Sequence, residues 1–405
     1  MTLDKSENKK PDSYFEKYTE ISFEEEACRR LKERENNLNS EIDKKPIAVS
    51  LFSGCGGIDL GLIKAGYEVV WANDIDEDCC ETYKENIGNH INCGDIRELP
   101  VPNYENIDLM TAGFPCQPFS NAGNRLGTKD DRGNLFEETF RFIEKLNPKA
   151  LIYENVRGLL SFKNKEKDGK LIDEILESLR DLGYEVEYRL VNFSHFGVPQ
   201  NRIRVIIVGV KNDKYLPYVF PEVEREKDLS IQTTLKGITK KMPNHNELMR
   251  LNPQALHYGS MIPEGGSWKS LSYEVLPERW KKIHDNMARY HYPNFFRRYS
   301  RKDVQGTITA SFKPENAAVW HPTKDRIYSV REIARFQTFP DDFVFFGSSV
   351  KSKYKQIGNA VPPLFAELMG KQLLPYINNK KPSSLKRLKP ESTEFNVNRP
   401  INYKK

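Results

Sequence analysis

One cysteine, Cys116, lies in a setting that suits a nucleophile. It belongs to the run GFPCQPFS (113–120), which follows the strand-like run IDLMTAG (107–113). Pro115 and Pro118 fix φ on either side and remove backbone donors, so the thiol would lie on a stiff, exposed loop. Parallel sheets place their chemistry at the carboxyl ends of their strands, where this loop would be. The pattern predicts a reactive thiol rather than a packing cysteine.

A carboxylate and two arginines follow later apolar runs. Glu154 closes the run ALIY, which predicts a carboxylate at the same sheet edge as Cys116. Burial there would favour its protonated form and let it donate a proton. Arg202 and Arg204 alternate on the run RIRVIIVGV (202–210), so they would share one face of a strand and need an anionic or carbonyl partner. A structural salt bridge within the core is the alternative.

A glycine-rich turn indicates a ligand site. LFSGCGGIDLG (51–61) ends a predicted strand and opens a helix, and its glycines would let the backbone approach a ligand closely. Asp74, at the end of the next strand, is placed to accept from ribose hydroxyls, and Asp95 in GDI from an adenine amino group. The turn and Asp74 would also suit a nicotinamide dinucleotide. Together with Asp95 they predict an adenosine site without saying which adenosine compound.

Composition excludes several classes of protein. The chain has 405 residues, of which 38% are hydrophobic and 29% charged, with no apolar run near the ~18 residues of a membrane span. We expect a cytoplasmic protein with no membrane association, because the N-terminus carries no secretory stretch. The six cysteines include no C-x-x-C pair and no neighbouring histidine cluster, so we expect free thiols and no metal site.

Positive charge is segregated along the chain. The net charge is only +5, yet residues 211–320 hold 18 Lys and Arg against 12 Asp and Glu, and residues 376–405 hold 8 against 2. Such segregation suits a protein that meets a polyanion with one face. Basic segments that merely aid solubility are the alternative.

The alternation of apolar runs with helical patterns indicates the fold class. From residue 47 to 210 it predicts an α/β, Rossmann-like parallel sheet with helices on both faces. The alternation then stops, which predicts a smaller inserted domain. We divide the chain into an extension (1–45), a catalytic and cofactor-binding domain (46–210), a target-recognition domain (211–320), a C-terminal part that rejoins the first domain (321–376) and a basic, flexible tail (377–405).

The order of these motifs resembles one family, the cytosine carbon-5 DNA methyltransferases of bacterial restriction–modification systems. The resemblance runs from about Val49 to Gln372 and is carried by LFSGCGG, WANDID, GDI, GFPCQPFS, ENV, QNRIR, RIYSVREIARFQTFPDDF and YKQIGNAVPPLFAELMG. The basic insertion falls where this family keeps its target-recognition domain. The resemblance implies a DNA methyltransferase that uses S-adenosyl-L-methionine, with double-stranded DNA as its partner.

The resemblance also implies roles for individual residues. Cys116 would be the nucleophile and Glu154 the acid, while Arg204 would contact the cytosine carbonyl oxygen and Arg202 would brace the loop. The cofactor would be held by Phe52, Gly54, Gly56, Gly57, Asp74, Ile75, Asp95, Ile96, Asn359 and Val361. The family's turn usually begins with an aspartate where this chain has Ser50, and its ribose ligand is often glutamate rather than Asp74, which could loosen cofactor affinity.

For DNA recognition, the run FFRRYSRKDVQGTITASF (295–312) combines basic and aromatic residues. Arginine is the best reader of a guanine edge, and the two threonines would alternate on a strand. The predicted DNA contacts are Gln117, Ser120, Arg297, Arg298, Arg301, Thr307 and Thr309. A solvated basic loop is the alternative for any one of them.

The predicted chemistry begins with addition of the Cys116 thiolate to carbon 6, which makes carbon 5 nucleophilic. The target base must first leave the duplex. We expect a monomer that works alongside a restriction endonuclease without a stable complex. The alternatives are a transfer-RNA cytosine methyltransferase, whose Cys-Phe-Thr motif is absent here, and a DNA-binding relative without catalysis.

Overall fold

The computed structural model describes residues 44–115, 135–164, 169–211, 218, 220–221, 227–287, 295–313 and 320–378. The contacts between residues divide the chain into two units, Met1–Lys45 and Pro46–Lys405. Every helix and strand below lies on the C-terminal side of that division.

A seven-stranded sheet carries the fold, in the order β3-β2-β1-β4-β5-β10-β8. Its central strands β1, β4, β5 and β10 are runs of apolar, often β-branched residues that are mostly buried on both faces, whereas β8 at one edge exposes Glu185 and Tyr188. The strands of the described residues are β1 (Ile47–Leu51), β2 (Glu68–Asp74), β3 (Ile91–Cys93), β4 (Leu109–Ala112), β5 (Ala150–Val156), β6 (Lys163–Asn164), β7 (Gly169–Lys170), β8 (Glu185–Asn192), β9 (Gln200–Asn201), β10 (Ile203–Val210) and β11 (Gln305–Gly306).

Five strands, β1 to β5, are parallel, as predicted. The expectation of a wholly parallel sheet is wrong for one strand, because β10 runs antiparallel to both β5 and β8. The physical reason is the link between β8 and β10, residues 193–202, which contains only a short 3-10 helix and β9. A parallel crossover needs a dozen or more residues, usually with a full helix, so the chain turns back instead.

Helices cover both faces of the sheet, which confirms the predicted fold class. On one face α3 and α4 pack through residues such as Phe142 and Ile175, and on the other α1 and α10 pack through Leu62 and Met369. The described helices are α1 (Gly57–Lys64), α2 (Glu77–Asn86), α3 (Leu135–Leu146), α4 (Leu171–Asp181), α5 (Ile231–Leu235), α6 (Pro253–Met261), α7 (Glu278–Asp285), α8 (Val330–Phe336), α9 (Val350–Asn359) and α10 (Pro363–Ile377). Among the residues described, no helix has both the length and the apolar character that crossing a bilayer would require.

A second hydrophobic core lies outside the sheet and crosses the predicted domain boundary. The predicted boundary lies between residues 320 and 321. Trp268 and Trp320, before this boundary, share the core with Phe336 and Tyr354, which follow it. The helix α8, which we expected to rejoin the sheet domain, packs in this second core, which also includes Cys55 of the glycine turn. The short helices α6 and α7 offer little apolar surface of their own, and α8 and α9 complete the core around the two indoles.

Candidate active site

The glycine turn follows β1 directly and has an unusual backbone. Phe52 and Gly54 both have φ of 56°, and Gly56, the residue that precedes α1, has φ of 88°. A positive φ is costly for a bulky residue such as Phe52, on the order of 1–3 kcal/mol, and such strain clusters at ligand sites. A Cβ added at Gly54 would meet no atom within 4 Å, whereas one at Gly57 would lie 2.3 Å from the Val361 carbonyl oxygen. The turn is therefore open on one side and tightly packed against the C-terminal segment on the other.

Asp74 holds this turn in place. Its Oδ2 accepts from the Gly54 backbone N–H at 2.8 Å and its Oδ1 from the Asp76 N–H at 2.9 Å. Burial raises the pKa of the Asp74 carboxyl. The next residue, Ile75, leaves 66% of its surface exposed at the end of β2. The carboxylate of Asp74 can accept hydrogen bonds from hydroxyl groups. The exposed side chain of Ile75 offers an apolar surface on which a planar ring can lie.

The GDI segment is arranged differently from the prediction. Asp95 forms an ion pair with Arg97, N···O 2.5 Å, whose hydrogen bonds lower the pKa of the Asp95 carboxyl. Ile96 is only 2% exposed and its side chain packs in the sheet core. The Ile96 side chain is thus largely enclosed by the protein, and the ligand contact of this residue stays a prediction. Its carbonyl oxygen accepts from Arg141 Nη2 at 2.7 Å, which leaves its backbone N–H as its means of contact.

The C-terminal residues predicted for the cofactor lie beside the turn. Val361 approaches Gly57, and the exposed residue Asn359 ends α9 just before it. The structure thus brings the two ends of the predicted cofactor pocket, more than 300 positions apart, into contact.

Glu154 and Arg204 meet on neighbouring strands. In the β5–β10 register Glu154 lies opposite Ile206 and Arg204 opposite Val156, so their side chains are diagonal neighbours on one face. Arg204 Nε lies 2.8 Å from Glu154 Oε1, and the two side chains are 14% and 12% exposed. A small cavity beside the carboxylate is lined by apolar residues that include Ile58 and Val361. The pair is thus sheltered from solvent and lies close to both ends of the predicted cofactor pocket.

Arg202 has a different role from Arg204. It precedes β10, is 1% exposed and donates to the carbonyl oxygens of Ile308 (2.8 Å) and Asn359 (3.5 Å). These contacts agree with the bracing role but separate Arg202 from the Glu154–Arg204 pair. The alternative of a salt bridge within the core applies instead to Arg204.

A buried amide pair next to Arg202 was not predicted. Gln200 Nε2 donates to Gln337 Oε1 at 2.9 Å, and Gln337 Nε2 donates to the Ile357 carbonyl oxygen at 2.6 Å. Gln200 Oε1 accepts from the Ile308 N–H at 2.8 Å. We call these residues, with Arg202, the buried seam, because they join β9, the segment after β11 and the ends of α8 and α9. The signal in the sequence was two glutamines within otherwise apolar or strand-like runs.

The loop that carries Cys116 leaves the sheet beside the glycine turn. Gly113 donates its N–H to the Leu51 carbonyl oxygen at 3.3 Å, and Asn155 Nδ2 donates to the Phe114 carbonyl oxygen at 3.3 Å. Asn155, the middle residue of ENV, was given no role from the sequence. The predicted nucleophile Cys116 and the predicted DNA contacts Gln117 and Ser120 lie outside the described residues.

Of the predicted arginine contacts to DNA, one is corrected. Arg298 is 4% exposed and donates to the carbonyl oxygens of Gly259, His321 and Lys324 and to Asp325. It anchors the second core and is not available to read a base. Its neighbour Arg297 lies over the ring of Tyr299, 4.3 Å from the centroid. Arg301 is exposed and pairs with Glu264, N···O 2.7 Å.

The predicted strand through the two threonines is also corrected. β11 ends at Gly306, pairs with β9, and does not reach Thr307. Thr307 Oγ1 instead donates to the Asn201 carbonyl oxygen at 2.7 Å, and Thr309 Oγ1 to that of Ser311 at 3.1 Å. Side chain–backbone bonds of this kind compete with strand pairing and favour irregular structure.

Comparisons with known proteins agree with this geometry. The model of the C-5 cytosine-specific DNA methylases matches residues 48–374. The type II methyltransferase M.NgoFVII of Neisseria gonorrhoeae is 36% identical over 360 residues, covering 86% of this chain and 91% of its own. M.Eco47II of Escherichia coli is 36% identical over 340 residues, covering 80% of this chain and 78% of its own.

Two solved structures share the fold. A DNA modification methyltransferase encoded within an E. coli prophage is 22% identical, with a TM-score of 0.53 over 82% of this chain and 100% of its own. The Dnmt2 methyltransferase of S. pombe is 21% identical, with a TM-score of 0.51 over 82% of this chain and 99% of its own. With the family match over most of its length, the chain belongs to the C-5 cytosine-specific DNA methylases and is a DNA (cytosine-5-)-methyltransferase.

Proposed function

We propose that the chain methylates cytosine through a transient covalent bond between Cys116 and the base. Carbon 5 of cytosine is a poor nucleophile, and addition of a thiolate at carbon 6 turns the ring into an enamine whose carbon 5 can accept a methyl group. Loss of the proton from carbon 5 then returns the electron pair to the ring and expels the thiolate. A free thiol titrates near ~8.5, so the proton must leave Cys116 before or during the attack.

The Glu154–Arg204 pair is the observation that carries this proposal. A carboxyl group that donates to ring nitrogen 3 offsets the charge that builds up as the thiolate adds, and a guanidinium at the carbonyl oxygen acts in the same way. The pair has the right chemistry for both tasks, is sheltered from water, and lies on the strand next to β4, from which the Cys116 loop departs. Asn155 supports the arrangement, since it links β5 to the backbone of that loop at Phe114.

S-adenosyl-L-methionine is the cofactor that the turn fits best. When bound, it supplies the methyl group as part of a sulfonium. The open side of Gly54, the strained Phe52 and the exposed Ile75 provide a cradle in which backbone and apolar surface can meet an adenosine. Asp74 would accept from the ribose, and Asn359 and Val361 would close the pocket. Both oxygens of Asp95 already accept from Arg97, so an adenine amino group would have to share or replace one of these bonds.

Double-stranded DNA would be bound by the face that carries the second core, with Arg297 and Arg301 as candidate contacts. The target cytosine must leave the duplex to reach the thiol, at a cost of a few kcal/mol in unstacking, which phosphate and base contacts offset.

A duplex with 5-fluorocytosine at the target position tests the mechanism. Fluorine cannot leave as a proton does, so the base should remain bonded to the wild-type enzyme in the presence of S-adenosyl-L-methionine and give a gel-stable adduct. Cys116→Ala should form no adduct and show no methyl transfer, while Cys93→Ala, which removes an exposed thiol, should behave as the wild type. An active wild-type enzyme without an adduct, or an adduct with Cys116→Ala, would contradict the proposal.

The setting is proposed from the relatives, which are named type II methyltransferases. We expect a cytoplasmic monomer that protects a specific sequence against a partner endonuclease without binding that endonuclease stably. Bisulfite sequencing of DNA from cells that express the chain would identify the methylated sequence. Methylation scattered without a sequence motif would contradict a restriction–modification role.

A further inference from the structure

A buried carboxyl group beneath the glycine turn has no role in the mechanism above. Asp59, in the first turn of α1, is 0% exposed. The hydroxyl groups of Ser50, Ser53 and Tyr83 face it, yet neither carboxyl oxygen makes a hydrogen bond of ordinary geometry. A buried carboxylate without a good partner costs several kcal/mol, so an arrangement of this kind calls for a functional reason.

The surrounding hydroxyl groups connect Asp59 to the turn. Ser50 Oγ accepts from Thr111 Oγ1 at 3.1 Å and lies 3.0 Å from Ser53 Oγ. Ser53, itself in the turn, donates its N–H to the Asn73 carbonyl oxygen at 2.7 Å. The cluster therefore ties together β1, β2, β4 and the turn, and Asp59 is its one carboxyl group.

Ser50 is the position at which the sequence departs from the family's usual aspartate. We propose that Asp59 is a positioning residue that supplies, from α1, the carboxyl group that β1 lacks, and that it sets the glycine turn for S-adenosyl-L-methionine. The proposal rests on the cofactor assigned above. Because the Ser50 hydroxyl and the Asp59 carboxyl group both face this cluster, a carboxyl group can enter it from either position.

The ionisation of Asp59 should then influence cofactor affinity. Burial is the largest influence and raises its pKa to about 6, against the opposing effect of the neighbouring hydroxyls. A sulfonium cation in the pocket favours the ionised form, so affinity should rise as pH increases through about 6 and level off above it. The other groups that face this region are the hydroxyls of Ser50, Ser53 and Tyr83 and the Cys55 thiol, with Thr111 bonded to Ser50 and His90 to Tyr83.

A carboxyl exchange between the two positions tests the proposal. The dissociation constant for S-adenosyl-L-methionine would be measured by calorimetry at pH 7.5 for the wild type, Asp59→Ser, Ser50→Asp and the double variant. Asp59→Ser should bind about 10-fold more weakly, because the turn loses the carboxyl group that is proposed to position it. The double variant should return to within about 3-fold of the wild type. Ser50→Asp alone, which buries two carboxyls together, should lower the melting temperature.

The pH profile of the dissociation constant provides the second measurement. Asp59→Asn keeps the shape of the side chain and serves if Asp59→Ser does not fold. The change in affinity near pH 6 should vanish in this variant and should be weak for S-adenosylhomocysteine, which lacks the positive charge. An unchanged profile in Asp59→Asn, or a double variant no tighter than Asp59→Ser, would overturn the proposal. A wild-type enzyme that binds no S-adenosyl-L-methionine would instead overturn the proposed cofactor.

Discussion

Two arginines separated by one residue, Arg202 and Arg204, belong to regions with opposite character. In the buried seam, the polar groups of Arg202, Gln200 and Gln337 meet backbone atoms or one another deep in the protein. At the sheet edge formed by the carboxyl ends of the parallel strands, Arg204 forms an ion pair with Glu154, and both side chains are partly exposed. Groups whose hydrogen bonds are made within the fold hold segments together, whereas groups beside open space keep the capacity to bind a substrate.

This comparison predicts that substitutions at the sheet edge change the reaction and leave stability nearly unchanged. Glu154→Gln should lower the rate of methyl transfer by about 10²–10⁴-fold, the usual contribution of a positioned acid. The rate would be measured in single turnovers with labelled cofactor, next to the melting temperature. Glu144→Gln, at an exposed position of α3, is the matched control. It should change neither the rate of methyl transfer nor the melting temperature. If Glu154→Gln kept a rate within a few-fold of the wild type, the sheet-edge pair would have no more effect on the reaction than the buried seam, and the comparison would fail.

Substitutions in the buried seam should do the reverse. Gln337→Leu leaves the Ile357 carbonyl oxygen and the Gln200 amide without their partner, and should lower the free energy of unfolding by about 1–3 kcal/mol. Because the two amides bond to each other, Gln200→Leu combined with Gln337→Leu should cost less than the sum of the single changes. Denaturant unfolding of the four proteins measures this coupling. Strictly additive losses would mean that the amides act independently.

The last effect concerns the second core and appears only in acid. Burial lowers the pKa of His321 to about 4, and its Nδ1 accepts from the Thr323 N–H at 3.2 Å, so the ring is held neutral. The unfolded chain binds this proton near pH ~6.5, and the stability conferred by the neutral ring is therefore present above that pH and lost as pH falls towards 4. The loss should reach about 1–3 kcal/mol.

His321→Asn removes the titrating ring but keeps an acceptor for Thr323. Unfolding free energies measured between pH 7 and 4 should fall less steeply in this variant than in the wild type. Parallel curves would assign the acid sensitivity to other groups.

The sequence predicted the parts of the fold that depend on local pattern. The alternation of apolar runs with helical patterns specifies the sheet. Polar residues that follow an apolar run, such as Glu154 and Asp74, lie near the carboxyl ends of their strands, as that position in the sequence predicts. The direction of β10 was not predictable, because an apolar run has the same appearance whichever way it runs. The amide pair of the seam joins residues 137 positions apart, which no local pattern encodes. Arg298 resembles a solvated basic residue until its acceptors in two other segments, at Gly259 and at 321–325, are known.

The reversal of β10 has a consequence for how the site is built. A parallel strand contributes to this side of the sheet through residues near its carboxyl end, as β5 does with Glu154. The reversed strand β10 contributes to the same side through residues near its amino end, which is why Arg204 is the second residue of that strand. Because this one strand is reversed, the carboxyl group of Glu154 and the guanidinium of Arg204 face each other directly, and no loop has to fold back between them.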